Sequence, residues 1–156
     1  MKNEIEKIIK ELRLNCSVAE FDDLVLVSSK HKWNEISAYK TLSEEFISKY
    51  KNDINWNWFS VYQTLSEEFI SEYKDKVSWK HISQHQTLSE EFISKFEDSV
   101  SWPYITVYQT LSEEFLVKHK DQVDWRYILE HKPPSEEIMT KGVMLSIVKY
   151  LATTER

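Results

Sequence analysis

The phrase Thr-Leu-Ser-Glu-Glu-Phe occurs at Thr41 to Phe46, Thr64 to Phe69, Thr87 to Phe92 and Thr110 to Phe115, so a single interval of 23 residues governs the middle of the chain. Trp33, Trp56, Trp79, Trp102 and Trp125 keep the same interval, which carries the period well beyond the phrase itself. Self-similarity at a fixed period of about 20 to 50 residues marks a tandem array. In such an array no unit can bury its apolar face alone, and each depends on its neighbours for a core.

Four regular units run over 41–63, 64–86, 87–109 and 110–132, and each carries two helix starts. In the first unit Ser43 is an expected N-cap, with Glu44 and Glu45 opposing the positive end of the backbone dipole. Leu42 and Ile47 flank that cap as a hydrophobic staple, while Thr41 with Glu44 offers a competing capping-box register. The helix is expected to end at Asn52, Asp75, Asp98 or Asp121, residue types that tolerate left-handed geometry. Asn55, Ser78, Ser101 and Asp124 then serve as caps for a second helix, with Pro103 in a first turn where proline is tolerated. That second helix is expected to bury its tryptophan, then Phe59, Ile82, Ile105 or Ile128, then an aromatic position filled by Tyr62, His85, Tyr108 or His131.

Two helices in 23 residues are about two turns each, well below the roughly 12 to 15 residues at which an isolated helix becomes marginal in water. Stacking must therefore hold them. The chain has one glycine, Gly142, which argues against sheet proteins rich in tight turns and against phosphate-cradling loops. A leucine-rich repeat has a compatible period but requires a Leu-x-x-Leu-x-Leu strand, and no unit contains one.

Outside the regular units, Ile5, Ile8, Ile9 and Leu12 form one apolar stripe on an N-terminal helix. Ser17 with Glu20 fits a capping box that opens a further helix through Phe21, Leu24 and Leu26 or Val27. Residues 33–39 repeat the second half of the unit, so residues 1–40 read as a cap and a degenerate repeat. At the other end Pro133-Pro134-Ser135-Glu136-Glu137 echoes the phrase, and Met144, Ile147, Val148 and Leu151 continue at helical spacing, with Gly142 a possible break. Residues 133–156 thus form a partial repeat and a capping helix. The expected fold is one all-α repeat domain over 1–156, a short-repeat α-solenoid of helix-turn-helix units with N- and C-terminal capping helices.

The Leu-Ser-Glu-Glu-Phe-Ile, Asp-x-Val-x-Trp-x-x-Ile and Tyr-Gln pattern, from about Trp33 to Met139, resembles short Trp-containing helical tandem repeats in uncharacterised proteins of large DNA viruses, phages and some bacteria. The resemblance implies a viral or mobile-element source and carries no activity that transfers to particular residues.

The net charge of −6, with basic residues scattered among acids, lacks the phosphate-neutralising footprint of a nucleic-acid binder. No apolar run reaches the roughly 18 residues of a membrane span, the N-terminus is charged throughout, and Cys16 is the only cysteine. A soluble cytoplasmic protein without a targeting segment is expected, in host cytoplasm if the source is viral.

Two sets of surface residues are candidates for binding. The glutamate pairs Glu44 and Glu45, Glu67 and Glu68, Glu90 and Glu91, and Glu113 and Glu114 compensate helix N-termini and also form a candidate acidic docking ridge. The positions that vary between units while their neighbours do not, namely Asn57, Trp58, Lys80, His81, Tyr104, Arg126 and Tyr127, form a candidate partner-binding face, the aromatic ones equally suited to filling gaps between repeats. His81 and His85 are four apart, yet no further ligand completes a metal shell, and the tryptophans read as core knobs. No catalytic residue, cofactor or metal site is expected. The expected function is a non-enzymatic protein–protein interaction scaffold that binds or inhibits a host protein through its acidic repeat surface. The alternative is a helical-repeat nucleic-acid binder.

Overall fold

The computed structural model describes residues 1–12, 17–21, 30–38, 42–136, 139 and 143–154. Among these the chain is all-helical, with eleven helices and no strand. We number them α1 (Lys2–Glu11), α2 (Lys30–Ser37), α3 (Glu44–Tyr50), α4 (Trp56–Tyr62), α5 (Glu67–Glu72), α6 (Trp79–His85), α7 (Glu90–Lys95), α8 (Trp102–Tyr108), α9 (Glu113–Lys118), α10 (Trp125–His131) and α11 (Met144–Thr154). Each regular unit contributes one pair, so the short-repeat α-solenoid class holds. The chain divides into two compact units, Met1–His81 and Ile82–Arg156.

The first helix of every repeat begins as its sequence dictates. Ser43, Ser66, Ser89 and Ser112 are the N-caps, and their hydroxyls accept from the backbone N–H of Phe46, Phe69, Phe92 and Phe115 at 3.1 to 3.2 Å. Ser43, not Thr41, therefore sets the register in the first unit. Phe46 and Ile47, Phe69 and Ile70, Phe92 and Ile93, and Phe115 and Leu116 are the buried faces of these helices.

The helices end before the Asn and Asp residues expected to stop them. Their last residues are Tyr50, Glu72, Lys95 and Lys118, and the C-cap φ values, −56°, −103°, −115° and −107°, are all negative, so no cap takes the left-handed geometry. Backbone bonds close the turn instead. The carbonyls of Tyr50, Tyr73, Phe96 and His119 each accept two N–H groups, three and four residues on. The indole then adds a bond of its own: Nε1–H of Trp56, Trp79, Trp102 and Trp125 donates to the carbonyl of Lys51, Lys74, Glu97 and Lys120. Each tryptophan thus satisfies an orphan carbonyl at the end of the helix before it.

Second helices start at Asn55 and Asp124 with side-chain caps on Asn57 and Trp58 or on Tyr127. Ser101 occupies the N-cap of α8 but makes no such bond, and Pro103 stands at the second helical position, where its missing N–H costs nothing. Ile54 and Phe59, Val100 and Ile105, and Val123 and Ile128 are buried at the staple positions.

Each repeat is tied to the next by polar groups that sit in the core. Ser37, Ser60, Ser83 and Thr106 are buried, and their hydroxyls accept from the N–H of Asn55, Ser78, Ser101 and Asp124, the N-cap positions one repeat on, at 2.9 to 3.1 Å. Gln109, also buried, accepts from Leu88 N–H at 3.1 Å and donates to the carbonyls of Ser83 and Gln86 at 3.0 and 2.8 Å. Gln63 holds Leu42 N–H and the Ser37 carbonyl in the same way. Lys132 stands at the same repeat position but is exposed, and its ammonium reaches the Gln109 carbonyl from outside at 3.1 Å. Buried polar groups this fully paired specify one register of stacking and tolerate no slip.

In the unit Met1–His81, Phe21, Trp33, Phe46 and Tyr50 form an aromatic cluster with centroids 4.6 to 6.2 Å apart. Trp56 stacks on Tyr73 at 5.2 Å and α2 packs on α4. Ile5 and Ile8 of α1 are buried, while Ile9 and Leu12 lie at the margin. The Ser17–Glu20 capping box forms, and its bonds from the Ser17 backbone and hydroxyl hold the Glu20 carboxyl below its ordinary range. Phe21 follows it into the core, whereas Leu24, Leu26 and Val27 lie outside the described residues.

In the unit Ile82–Arg156, Trp102 lies against His119 with ring centroids 5.0 Å apart and planes tilted by 34°, and His119 fills the place that Tyr73 and Phe96 hold in other repeats. Leu116, Val123, Trp125, Ile128, Val143 and Ile147 form the core that α11 closes. Met144 and Val148 do not join it, since both are exposed beside Leu145. The expected break at Gly142 lies outside the described residues. Trp33 and Trp125 are buried and Trp56, Trp79 and Trp102 half-buried, so no tryptophan of the 23-residue series stands free on the surface.

Candidate functional site

A seven-residue helix has one inward stripe, and its position decides what is left outside. From Trp56 the stripe passes through Phe59, Ser60 and Gln63, at helical steps of three, four and seven; Phe59, Ser60 and Gln63 are buried. Trp58 and Tyr62 lie about 200° and 240° around the helix from Trp56, which is its far side. They are 41% and 54% exposed. Tyr62, His85, Tyr108 and His131, expected to be buried, are in fact exposed; on α4, α6 and α8 the last two steps of the inward stripe are filled by Ser or Thr and by Gln.

These residues pair along each helix. Trp58 stacks on Tyr62 at 5.3 Å and 27°, Tyr104 on Tyr108 at 6.0 Å and 16°, and Tyr127 on His131 at 4.4 Å and 13°. His81 and His85 hold the same two positions on α6. Each regular second helix thus presents a pair of flat rings four residues apart. In the unit Ile82–Arg156, α8 and α10 pack directly on one another, so the Tyr104/Tyr108 and Tyr127/His131 pairs lie on adjacent helices. The Lys132 ammonium sits over the Tyr127 ring, 5.8 Å from its centroid.

The candidate residues expected from sequence are divided between the two units, Asn57, Trp58, Lys80 and His81 in one and Tyr104, Arg126 and Tyr127 in the other. Asn57, Lys80 and Arg126 are exposed, Trp58 is exposed, and His81, Tyr104 and Tyr127 are half-buried beneath their outer partners. Tyr62, His85, Tyr108 and His131 each lie four residues on from Trp58, His81, Tyr104 and Tyr127, on the same side of their own helix. The usable signal was the three-four-seven stripe itself, followed regardless of whether its members are polar. In the unit Met1–His81 a shallow recess of about 430 Å³ lies beside Asn57, lined also by Trp33, Asp53, Asn55, Trp56 and Lys76.

The glutamate pairs divide into two roles. Glu90 accepts from both the N–H and the hydroxyl of Ser112, and Glu113 accepts from the same two groups of Ser135 at 2.7 and 2.9 Å. In a capping box an N-cap N–H is taken by a glutamate of its own helix; here the glutamate comes from the repeat before. Glu4 of α1 does this for Ser43, so the N-terminal helix stands in for a missing repeat. The second glutamates, Glu68, Glu91 and Glu114, are exposed, and Glu45 meets the N-terminal ammonium at 3.3 Å. Glu67 is half-buried, and the Glu44 side chain lies outside the described ones.

Near the C-terminal end, burial and a hydrogen bond to Asp124 raise the pKa of the Tyr150 phenol. Among the described residues no three His, Cys, Asp or Glu side chains gather as a metal-ligand group, and no helix is long and apolar enough to cross a membrane. The chain matches no protein-family model, no curated protein and no solved structure.

Proposed function

We propose that the protein is a non-enzymatic interaction scaffold that binds a protein partner through the outer face of its second helices. The observation that carries this is the stacked aromatic pair on the outer side of α4 in one unit and of α8 and α10 in the other, with Tyr62 and Tyr108 more than half accessible. Exposed aromatics beside variable polar residues such as Asn57, Lys80 and Arg126 suit contact anchors, because they bring large area at small entropic cost. The acidic ridge becomes a secondary contact made by Glu68, Glu91 and Glu114, since Glu90 and Glu113 are engaged between repeats. The scaffold works in the cytoplasm, that of a host if the repeat has a viral or phage source.

Affinity capture with the native chain and with Trp58→Ser, Tyr108→Ser and Glu91→Gln/Glu114→Gln variants tests this. Loss of the captured protein with the aromatic variants, and retention with the glutamate variant, is the expected result. An unchanged set of captured proteins in the aromatic variants would refute it. A second possibility is single-stranded nucleic acid, since exposed stacked rings are the platforms on which bases stack. The charge of −6 opposes it, and retention on an oligonucleotide column with a steep loss at rising salt would establish it.

A further inference from the structure

We propose that the last regular repeat carries a carboxylate-binding cavity, in which the backbone N–H of Leu111 and the ammonium of Lys132 take a carboxylate oxygen between them. This site does not depend on protein binding by the rings of the second helices.

The repeats supply their own comparison. Gln63, Gln86 and Gln109 are buried at one repeat position. The Gln109 amide oxygen accepts from Leu88 N–H at 3.1 Å, and its amide nitrogen donates to the Ser83 and Gln86 carbonyls at 3.0 and 2.8 Å. One repeat on, the corresponding groups are Leu111 N–H and the Thr106 and Gln109 carbonyls, and the residue placed to meet them is Lys132. An ammonium has three donors and no acceptor. It reaches the Gln109 carbonyl at 3.1 Å and, more loosely, the Thr106 and Val107 carbonyls at 3.5 Å, so the donating half of the clamp is kept. The accepting half is lost. Among the described residues no acceptor meets Leu111 N–H.

A cavity of about 100 Å³ lies at this place, with Thr106, Leu111, Glu113, Ile128, Lys132 and Pro134 among its walls. At about 30 Å³ of liquid volume per water, it has room for about three waters, or for one carboxylate and the carbon that bears it.

Donor count and charge select the ligand. Among the described residues no carboxylate pairs with Lys132, whose ammonium is held by the three carbonyls and lies 5.8 Å from the centroid of the Tyr127 ring. An oxygen standing where the amide oxygen stands in the other repeats therefore finds an N–H without an acceptor and a cation without a counter-charge. A charged oxygen makes the stronger bond to both. A carboxamide suits the place less well, because the carbonyls its NH2 group would seek are already taken by Lys132. A phosphate brings more acceptor oxygens and more charge than these two donors can satisfy. Glu113 also borders the cavity, but its oxygens are engaged by the N–H and hydroxyl of Ser135 at 2.7 and 2.9 Å. Its charge keeps the affinity modest and opposes a doubly charged ligand.

Nitrogen-15 NMR titration of the full chain with sodium acetate tests the proposal. Acetamide, the neutral isostere, and sodium chloride and sodium phosphate at matched ionic strength serve as comparisons. A saturable shift of the Leu111 amide resonance is expected with acetate, at a Kd of about 1 to 10 mM as suits a ligand this small, with acetamide and phosphate at least about tenfold weaker. Lys132→Gln installs the residue of the other repeats; it should abolish the acetate shift and slow Leu111 amide exchange. Lys132→Met removes the ammonium and adds no acceptor, so it should weaken acetate about tenfold and leave that exchange fast. No saturable Leu111 shift with acetate, an equal response to chloride or acetamide, or an acetate response undiminished in both variants overturns the proposal. Two further probes read the source of the carboxylate: acetyl-dialanine, which carries only a chain-end carboxylate, and acetyl-glutamate amide, which carries only a side-chain one. Binding of either at least as tight as acetate assigns the ligand to a protein partner, and weaker binding of both assigns it to a free small acid. Protein capture through the ring face is a separate readout, so failure of one leaves the other standing.

Discussion

Replacing Gln109 by leucine should destabilise the unit Ile82–Arg156 far more than a change of one amide suggests. Leucine keeps most of the volume, so the perturbation is nearly confined to hydrogen bonding. The amide is buried, and three backbone groups depend on it: the Ser83 and Gln86 carbonyls of the preceding repeat and the Leu88 N–H at the start of its own. A buried donor or acceptor left unmade costs about 1 to 3 kcal/mol. The N–H has one hydrogen and loses its acceptor, whereas each carbonyl keeps a second lone pair, so the total should be about 2 to 5 kcal/mol. For a chain of this length that corresponds to a fall of very roughly 4 to 20 °C in Tm. Denaturant unfolding followed by far-ultraviolet circular dichroism would read the loss, and amide hydrogen exchange would locate it, with Leu88 N–H accelerated more than its neighbours. Thr110→Ala, next in sequence and exposed, should shift stability by less than about 0.5 kcal/mol. A Gln109→Leu chain that loses less than that amount, with Leu88 exchange unchanged, would refute the assignment of the inter-repeat clamp to this side chain.

Ser83→Ala removes the acceptor for Ser101 N–H and should cost about 1 to 3 kcal/mol in the same unfolding assay. Glu113→Ala, which breaks two bonds to Ser135, should cost about 1 kcal/mol, while Glu114→Ala, one residue on and exposed, should cost less than about 0.5 kcal/mol; the difference between the two is the diagnostic quantity. Tyr150 supplies a pH dependence. Its pKa is raised in the folded chain, so the unfolded phenol ionises first. The stability it confers is complete below the ordinary tyrosine value near 10 and is lost as pH rises through the folded value. Unfolding curves between pH 9 and about 11.5 should show a decline that Tyr150→Phe makes shallower.

Much of this architecture was legible because the repeat multiplies weak signals. One Ser-Glu-Glu is a common helix start; four at one interval, each before a Phe, fix four helices and their caps. What stayed hidden was polar chemistry acting across repeats. Ser83 and Gln109 look like solvent-facing residues in any single unit, and their partners lie 18 and 21 to 26 residues away. Glu90 and Glu91 are indistinguishable in sequence, yet one reaches Ser112 and the other faces water. From sequence Tyr108 reads as core, because it is an aromatic residue at the end of a short helix. Geometry decides otherwise, since Ser or Thr and Gln complete the inward stripe and turn the tyrosine outward. The candidate binding face was visible as variation at positions 57, 58, 80, 81, 104, 126 and 127, but its outer half could be found only by following the helical step rather than the polarity of the side chain.

The central claim is that two-turn helices persist here because adjoining repeats supply their hydrogen-bond partners and cover their indoles. Far-ultraviolet circular dichroism of a synthetic peptide spanning residues 87–109, set beside the intact chain at the same residue concentration, tests it most directly. The peptide should show a coil spectrum while the intact chain is strongly helical. A peptide as helical as the corresponding stretch of the intact chain would contradict the claim, because the helices would then need no neighbours.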